Sequence, residues 1–168
     1  MEVFEAVRTV LAVREYTDKP IPADAVRRIA EAAHLTASSR NGQPWHFVVV
    51  EDKETLQRLG KAVATGPFIA WAPLAIAVGV DRESPYGMSD ASRAIQSMVL
   101  TAWADGVGSN WAGFANMPAV NEVLGIPERI QVVAVISFGY PKRKLGKGKK
   151  TRKPFGEVVH GERFGQAF

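Results

Sequence analysis

Residues 74–80 read LAIAVGV and residues 131–139 read QVVAVISFG, two continuous apolar runs with β-branched residues at their centres. Such runs mark strands covered on both faces, because a half-exposed strand alternates apolar and polar residues instead. A third run, Trp45–Val50 (WHFVVV), also reads as a strand and is closed by the charged Glu51–Glu54. Between and around these strands lie helical patterns. Val3, Phe4, Val7, Val10 and Leu11 recur at helical spacing up to about residue 12, and Tyr16–Pro22 (YTDKPIP) ends the pattern through its two prolines. Val26, Ile29, Ala30 and Ala33 form a second stripe, and Thr55–Val63 a third helix with Leu56 and Leu59 inward.

Ala91–Asp105 is apolar almost all round, with Asp90 placed to cap it. A helix of this kind is buried, in the domain centre or against a second copy of the chain. Gly106–Asn116 (GVGSNWAGFAN) reads as a glycine-rich loop, and Asn116 as the cap of a helix closed by Gly125. These elements predict an α+β fold in three layers (α/β/α), a mixed central sheet covered by helices. With three strands only, a further strand is expected from the tail or from a partner subunit. The whole chain, 1–168, reads as one domain, with 141–168 as a basic C-terminal extension.

Composition closes off several classes. The 168 residues are 46% hydrophobic and 23% charged, which excludes a disordered or fibrous chain. Cysteine is absent, so disulfides, thiolate nucleophiles and Cys-rich metal sites are excluded. His34, His46 and His160 lack zinc-type spacing, and no metal site is expected. The net charge of +4 conceals an asymmetry: residues 142–153 (KRKLGKGKKTRK) carry eight Lys/Arg and no acid, leaving 13 basic against 17 acidic residues elsewhere. Such a run is a solvated tail, a nucleic-acid patch or a phosphate clamp. No nucleic-acid motif accompanies it, and aromatics do not interleave with it. The start of the chain shows no signal-peptide pattern, and prolines 67 and 73 break the uncharged run Thr65–Val80, so a cytoplasmic protein without a membrane span is expected.

The chemistry-bearing candidates are loops. Ser38-Ser39-Arg40-Asn41-Gly42-Gln43-Pro44 offers hydroxyls, an amide and free backbone N–H groups, which suit either a polar heterocycle or the loop's own backbone. The spacing GxGxxxxG at 106–113 is neither a dinucleotide fingerprint nor a Walker loop. No Ser/His/acid set or carboxylate pair can be assembled, so hydrolase chemistry has no support. His34, His46 and the four tryptophans read as packing or surface residues, most of the tryptophans as core.

Five segments together extend the reading. AVREYTDKPIP (12–22), AAHLTASSRNGQPWHFVVV (32–50), DASRAIQSMVL (90–100), GVGSNWAGF (106–114) and KKTRKPFGEVVHGERFG (149–165) resemble the FMN-dependent nitroreductase family in order and spacing over nearly the whole chain. SSRNGQPWHF is the most specific of them. The resemblance implies FMN as cofactor, NADH or NADPH as electron donor, and a small aromatic acceptor such as a nitroaromatic or a quinone. It implies a homodimer with a site at the interface. Arg14 would face the flavin pyrimidine and phosphate region. Ser38, Ser39 and Asn41 would contact the flavin of the opposite subunit. Trp111, Ala112 and Gly113 would bring a backbone N–H to the flavin ring, and Lys150 with Arg152 would clamp the phosphate, with Arg8 able to assist.

Two positions depart from the family. Val10-Leu11-Ala12 stand where it has Arg-Arg-Ser, and Ala37 where it has proline. The acceptor stays open, whether a nitro compound, a quinone, a dehalogenation substrate or an oxidisable one. A non-enzymatic binder of anionic partners through 142–153 is the reading from another class. The short stretch between Val80 and Asp90 leaves no room for a long lid and predicts an open pocket.

Overall fold

The computed structural model describes residues 1–114, 116–145 and 150–168. Five helices carry the labels α1 (Val3–Thr9), α2 (Ala23–His34), α3 (Lys53–Ala62), α4 (Gly87–Ala104) and α5 (Pro118–Leu124). Four strands are β1 (Trp45–Val50), β2 (Leu74–Asp81), β3 (Gly108–Ala112) and β4 (Ile130–Gly139). They form one sheet in the order β1-β2-β4-β3, every neighbour antiparallel. The mixed character expected of the sheet is confined to one isolated parallel bridge, Ala12 to Ser109.

The side-chain period of two explains why the central runs are unbroken. Leu74, Ile76, Val78 and Val80 of β2 point to one face, where they meet Ile29 and Ala33 of α2 and Ile95 and Met98 of α4. Ala75 and Ala77 point to the other face, against Leu56 and Leu59 of α3, Ile69 and Val120 of α5. The sheet is thus the middle of three layers, and its two central strands are apolar nearly throughout because both their faces meet a core, with Ser137 the buried polar exception.

Several expectations are corrected. The segment read as a glycine-rich loop supplies the fourth strand, β3, so the sheet needs no strand from the tail; residue 115 lies outside the described residues. The glycine at 108 reports close packing rather than a loop, since a Cβ there would lie 2.4 Å from Val13 Cγ2. Helix α1 stops at Thr9, where Val10 turns to ψ 131°. Helix α4 begins at Gly87, so Asp90 sits inside its first turn instead of capping it. Met117, not Asn116, precedes α5 as its cap residue, while Gly125 closes it in the left-handed conformation as expected. Trp45 is core, but Trp71 is 73% exposed and Trp103 and Trp111 are half-buried.

In the C-terminal extension Phe155–Glu157 forms a single 3-10 turn. Phe155, Val158 and Phe164 are exposed, Phe164 to 92%, and the ring contacts of the two phenylalanines stay within the tail, with Phe168 and His160 respectively. Part of the basic run, residues 146–149, lies outside the described residues. Among the described residues no helix is long and apolar enough to cross a membrane, and no cluster of His, Asp and Glu is arranged to hold a metal ion.

Candidate functional site

The chain between α1 and α2 passes along the outer edge of β3. Val13 N donates to Ser109 O at 2.8 Å, Thr17 N to Tyr140 O at 2.9 Å, and Lys142 N to Glu15 O at 2.9 Å. Tyr16 fixes the same segment from inside the protein. Its hydroxyl lies 2.6 Å from Val13 O and 2.7 Å from Ser137 Oγ, and burial pushes the phenol up to about 12. Between these anchors Arg14 is held exposed, its guanidinium over the Phe68 ring at 5.9 Å. Glu15 turns away to pair with Arg143 at 3.2 Å. Among the described residues Arg14 has no ion pair, and it lines a cavity of about 350 Å³ with Ala12, Pro141 and Leu145.

The edge strand adds a backbone donor. Because Ser109 O accepts from Val13, Ser109 and Trp111 are the residues of β3 whose backbone groups face outward, and Asn110 and Ala112 face β4. The Trp111 C=O is taken by Asn110 Nδ2 at 3.0 Å, and its indole N–H donates to Gly113 O at 2.8 Å. Gly113 N–H donates to Thr65 Oγ1 at 2.9 Å. The Trp111 N–H therefore faces the side along which the Arg14 segment runs, while the Gly113 N–H is already bound.

Lys150 reaches α1 from the tail. Its Nζ donates to Val7 O of α1 at 2.5 Å. Burial, and then the neighbouring Arg152 charge, hold its ammonium below the ordinary lysine value. Lys150 thus feels the charge of Arg152, and among the described residues no acid is paired to either. Arg8 is engaged differently: Glu5 takes its guanidinium at 2.7 and 3.0 Å and holds its pKa up.

Ser38, Ser39 and Asn41 are elsewhere, at the opposite edge of the sheet. They precede β1, and β1 and β3 are its outer strands, three strand spacings or roughly 14 Å apart. Ser39 N donates to the Asp90 carboxylate at 3.0 and 3.1 Å, and Ser39 Oγ donates to it at 3.0 Å. Ser38 Oγ accepts from Gln43 N at 3.0 Å and keeps its own proton to give. Asn41 is exposed, and its Oδ1 accepts from Gln43 Nε2 at 3.3 Å. Beside this loop is a cavity of about 540 Å³ lined by Ser39, Gly42, Tyr86, Arg82 and Arg129. No long segment covers it, since β2 and α4 are joined by a turn of five residues.

The structure therefore puts the Arg14 segment along the β3 edge that carries Trp111, sets Lys150 against α1, and puts the Ser38–Asn41 loop at the other edge of the sheet. Phe68, Thr65, Tyr16 and Asp90 were not singled out from the sequence as site residues. Only Asp90 left a sequence trace, an acid three residues before Arg93 at the start of a helical pattern.

The sequence profile of the nitroreductase family matches residues 8–83 and 65–140, most of the chain between them. The chain belongs to the nitroreductase family. A protein of Archaeoglobus fulgidus provisionally named NADH dehydrogenase/NAD(P)H nitroreductase is 39% identical over 150 residues, covering 84% of this chain and 86% of its own. The solved structure of an FMN-dependent nitroreductase from Clostridium difficile superposes with a TM-score of 0.89 at 29% identity, over 96% of this chain and 99% of that one. The FMN reductase [NAD(P)H] of Bacillus subtilis is 24% identical over 187 residues, covering 97% of this chain and 74% of its own. This member of the nitroreductase family thus keeps the fold on 168 residues.

Proposed function

We propose that the protein is an FMN-dependent oxidoreductase of the cytoplasm that takes electrons from NADH or NADPH and passes them to nitroaromatic, quinone or related aromatic acceptors. It works as a homodimer with two sites. The observation that carries this reading is the division of the candidate residues between the two edges of one sheet. Neither half makes a site alone, and a second copy brings the Ser38–Asn41 loop of one chain to the Arg14 edge of the other.

The residues fit the group. Lys150 and Arg152 are two neighbouring cations in sequence without an acid partner among the described residues, charges that a phosphate dianion would neutralise. They stand in for the charge missing at Val10 and the hydroxyl missing at Ala12, because Arg8 is bound to Glu5. Arg14 presents a fixed, always-charged group with its carboxylate neighbour turned away. The Trp111 N–H is an outward backbone donor, and Ser38 and Asn41 offer further donors. FMN held by these residues would supply the two-electron redox chemistry between a reduced dinucleotide and the acceptor.

The protein's own part is electrostatic and steric. Arg14 holds positive charge where negative charge grows on reduction, without moving a proton. Lys150 and Arg152 bind and orient through the phosphate. Asn41 and Ser38 fix the ring edge, and the short turn after β2 leaves the exposed face open to flat acceptors of varied shape. The exposed apolar residues of α1 and the residues before it (Met1, Val3, Phe4) and of the tail (Phe155, Phe164, Phe168) support docking of residues 141–168 on the partner subunit.

Sedimentation of the FMN-loaded protein tests the assembly. A dimer with one FMN per chain is expected, and a folded, flavin-loaded monomer at micromolar concentration would overturn the shared site.

A further inference from the structure

Asp90 is fully buried, with none of its surface exposed. A buried carboxylate must have its lone pairs satisfied. It accepts from Ser39 N, from Ser39 Oγ and from the Arg93 guanidinium, one turn further along α4. Ser39 is consumed in turn: its hydroxyl proton goes to Asp90, and its oxygen accepts from Arg93 at 3.2 Å. Ser97, on the same face of α4, meets Thr36 Oγ1 at 2.8 Å. Positions 90, 93 and 97 thus form a polar seam along one side of the helix, and the seam grips residues 36–39.

The backbone just beyond this grip would not hold itself. Arg40, Asn41 and Gln43 have φ of 53°, 55° and 48°, the left-handed region that side chains disfavour. Three such residues within four positions persist only where the surroundings over-determine them. The surroundings here are the Asp90 clamp at Ser39, the Ser38 Oγ bond to Gln43 N, and Pro44 O, which accepts from Asp81 N at 2.8 Å. The outcome is that Asn41 stands at the tip of the loop with its side chain exposed.

We infer that Asp90 is the positioning residue of this loop, presenting Asn41 to the cofactor held by the partner subunit, and that Ser39 is the anchor through which it acts rather than a cofactor ligand. The inference rests on the FMN reading proposed above, and it removes Ser39 from the set of contacting residues. With the Asp90 carboxylate replaced, the left-handed residues relax toward ordinary backbone, and Asn41 is no longer held for binding.

The experiment combines amide exchange on the FMN-free protein with FMN titrations of Ser39→Ala, Ser39→Thr, Asp90→Asn and the Ser39→Ala/Asp90→Asn pair. Exchange at Ser39 should quicken at least about tenfold in Asp90→Asn while β2 stays protected. FMN affinity should fall about tenfold in Ser39→Ala and in Asp90→Asn, and no further in the double variant. Ser39→Thr, which keeps the hydroxyl, should restore binding, and saturated Ser39→Ala should show the wild-type flavin spectrum. Additive losses in the double variant, or a shifted spectrum at saturation, would make Ser39 a direct ligand and overturn the inference. Unchanged exchange at Ser39 in Asp90→Asn would overturn it as well. Should Asp90→Asn not fold, the Ser39→Ala and Ser39→Thr pair decides by the same spectrum and affinity. A wild-type protein that takes up no FMN would instead strike the oxidoreductase reading, and the exchange arm would still decide the anchor.

Discussion

The Arg14 guanidinium lies 5.9 Å from the centroid of the Phe68 ring. The contact ties a residue of the segment before α2 to the 3-10 turn Pro67–Trp71, so the cation is braced by the fold and not by an acid. That distinction matters for chemistry, because an acid partner would cancel the field that a reduced flavin requires.

Arg14→Ala should therefore lower the midpoint potential of bound FMN and slow its reduction by NAD(P)H. A nearby cation shifts an ionisation by one to three units, which for a two-electron couple corresponds to about 30–90 mV. Spectroelectrochemical titration of the variant checks it. A variant that binds FMN with unaltered potential and rate would return Arg14 to a surface role.

Tyr16→Phe should loosen the Arg14 segment and alter stability at high pH. The phenol is pushed up to about 12 by burial, with Ser137 and Arg14 opposing. Folded Tyr16 thus keeps its proton where the unfolded chain loses it, so this residue's contribution is complete below about pH 10. It falls by about 1.4 kcal/mol per pH unit between 10 and 12. Denaturant melts of both proteins across that window should show wild type losing stability faster than the phenylalanine variant. Parallel curves would show that Tyr16 does not titrate as placed.

Gly108→Ala should disturb β3 and the Arg14 segment together. Its Cβ would meet Val13 Cβ at 2.8 Å and Val13 Cγ2 at 2.4 Å, and Val13 also donates to Ser109 O. A cost of about 1–3 kcal/mol is expected for forcing that contact, read as a lower Tm, with weaker FMN binding beside it. An unchanged Tm would mean that the segment can move away freely.

Much of the fold was legible because the sheet is covered on both faces. LAIAVGV is wholly apolar and QVVAVISFG nearly so, and their boundaries match β2 and β4 to within one residue. β3 was missed for a physical reason: it is a five-residue edge strand whose glycine answers to Val13, a contact made by a segment about 95 residues earlier. Asp90 was read as a cap because local rules see only the helix, whereas its partner is Ser39, 51 residues away. The candidate residues at the site came from the family resemblance, since no spacing rule places Arg14 beside Trp111.

Lys150→Ala with Arg152→Ala should weaken FMN binding by roughly a hundredfold or more, since charge-assisted contacts contribute about 1.5–3 kcal/mol each. Riboflavin, which lacks the phosphate, should bind wild type and double variant alike. Equal loss for both ligands would mean that the pair supports the fold rather than the phosphate.

The visible absorbance spectrum of the purified protein, recorded without oxygen before and after adding NADH or NADPH, tests the central claim most directly. A flavin enzyme of this kind should be yellow as purified, or turn yellow on adding FMN with one equivalent per chain, and its flavin bands should bleach with a reduced nicotinamide. A protein that neither carries nor takes up FMN, or whose bound flavin is reduced by neither dinucleotide, would contradict it.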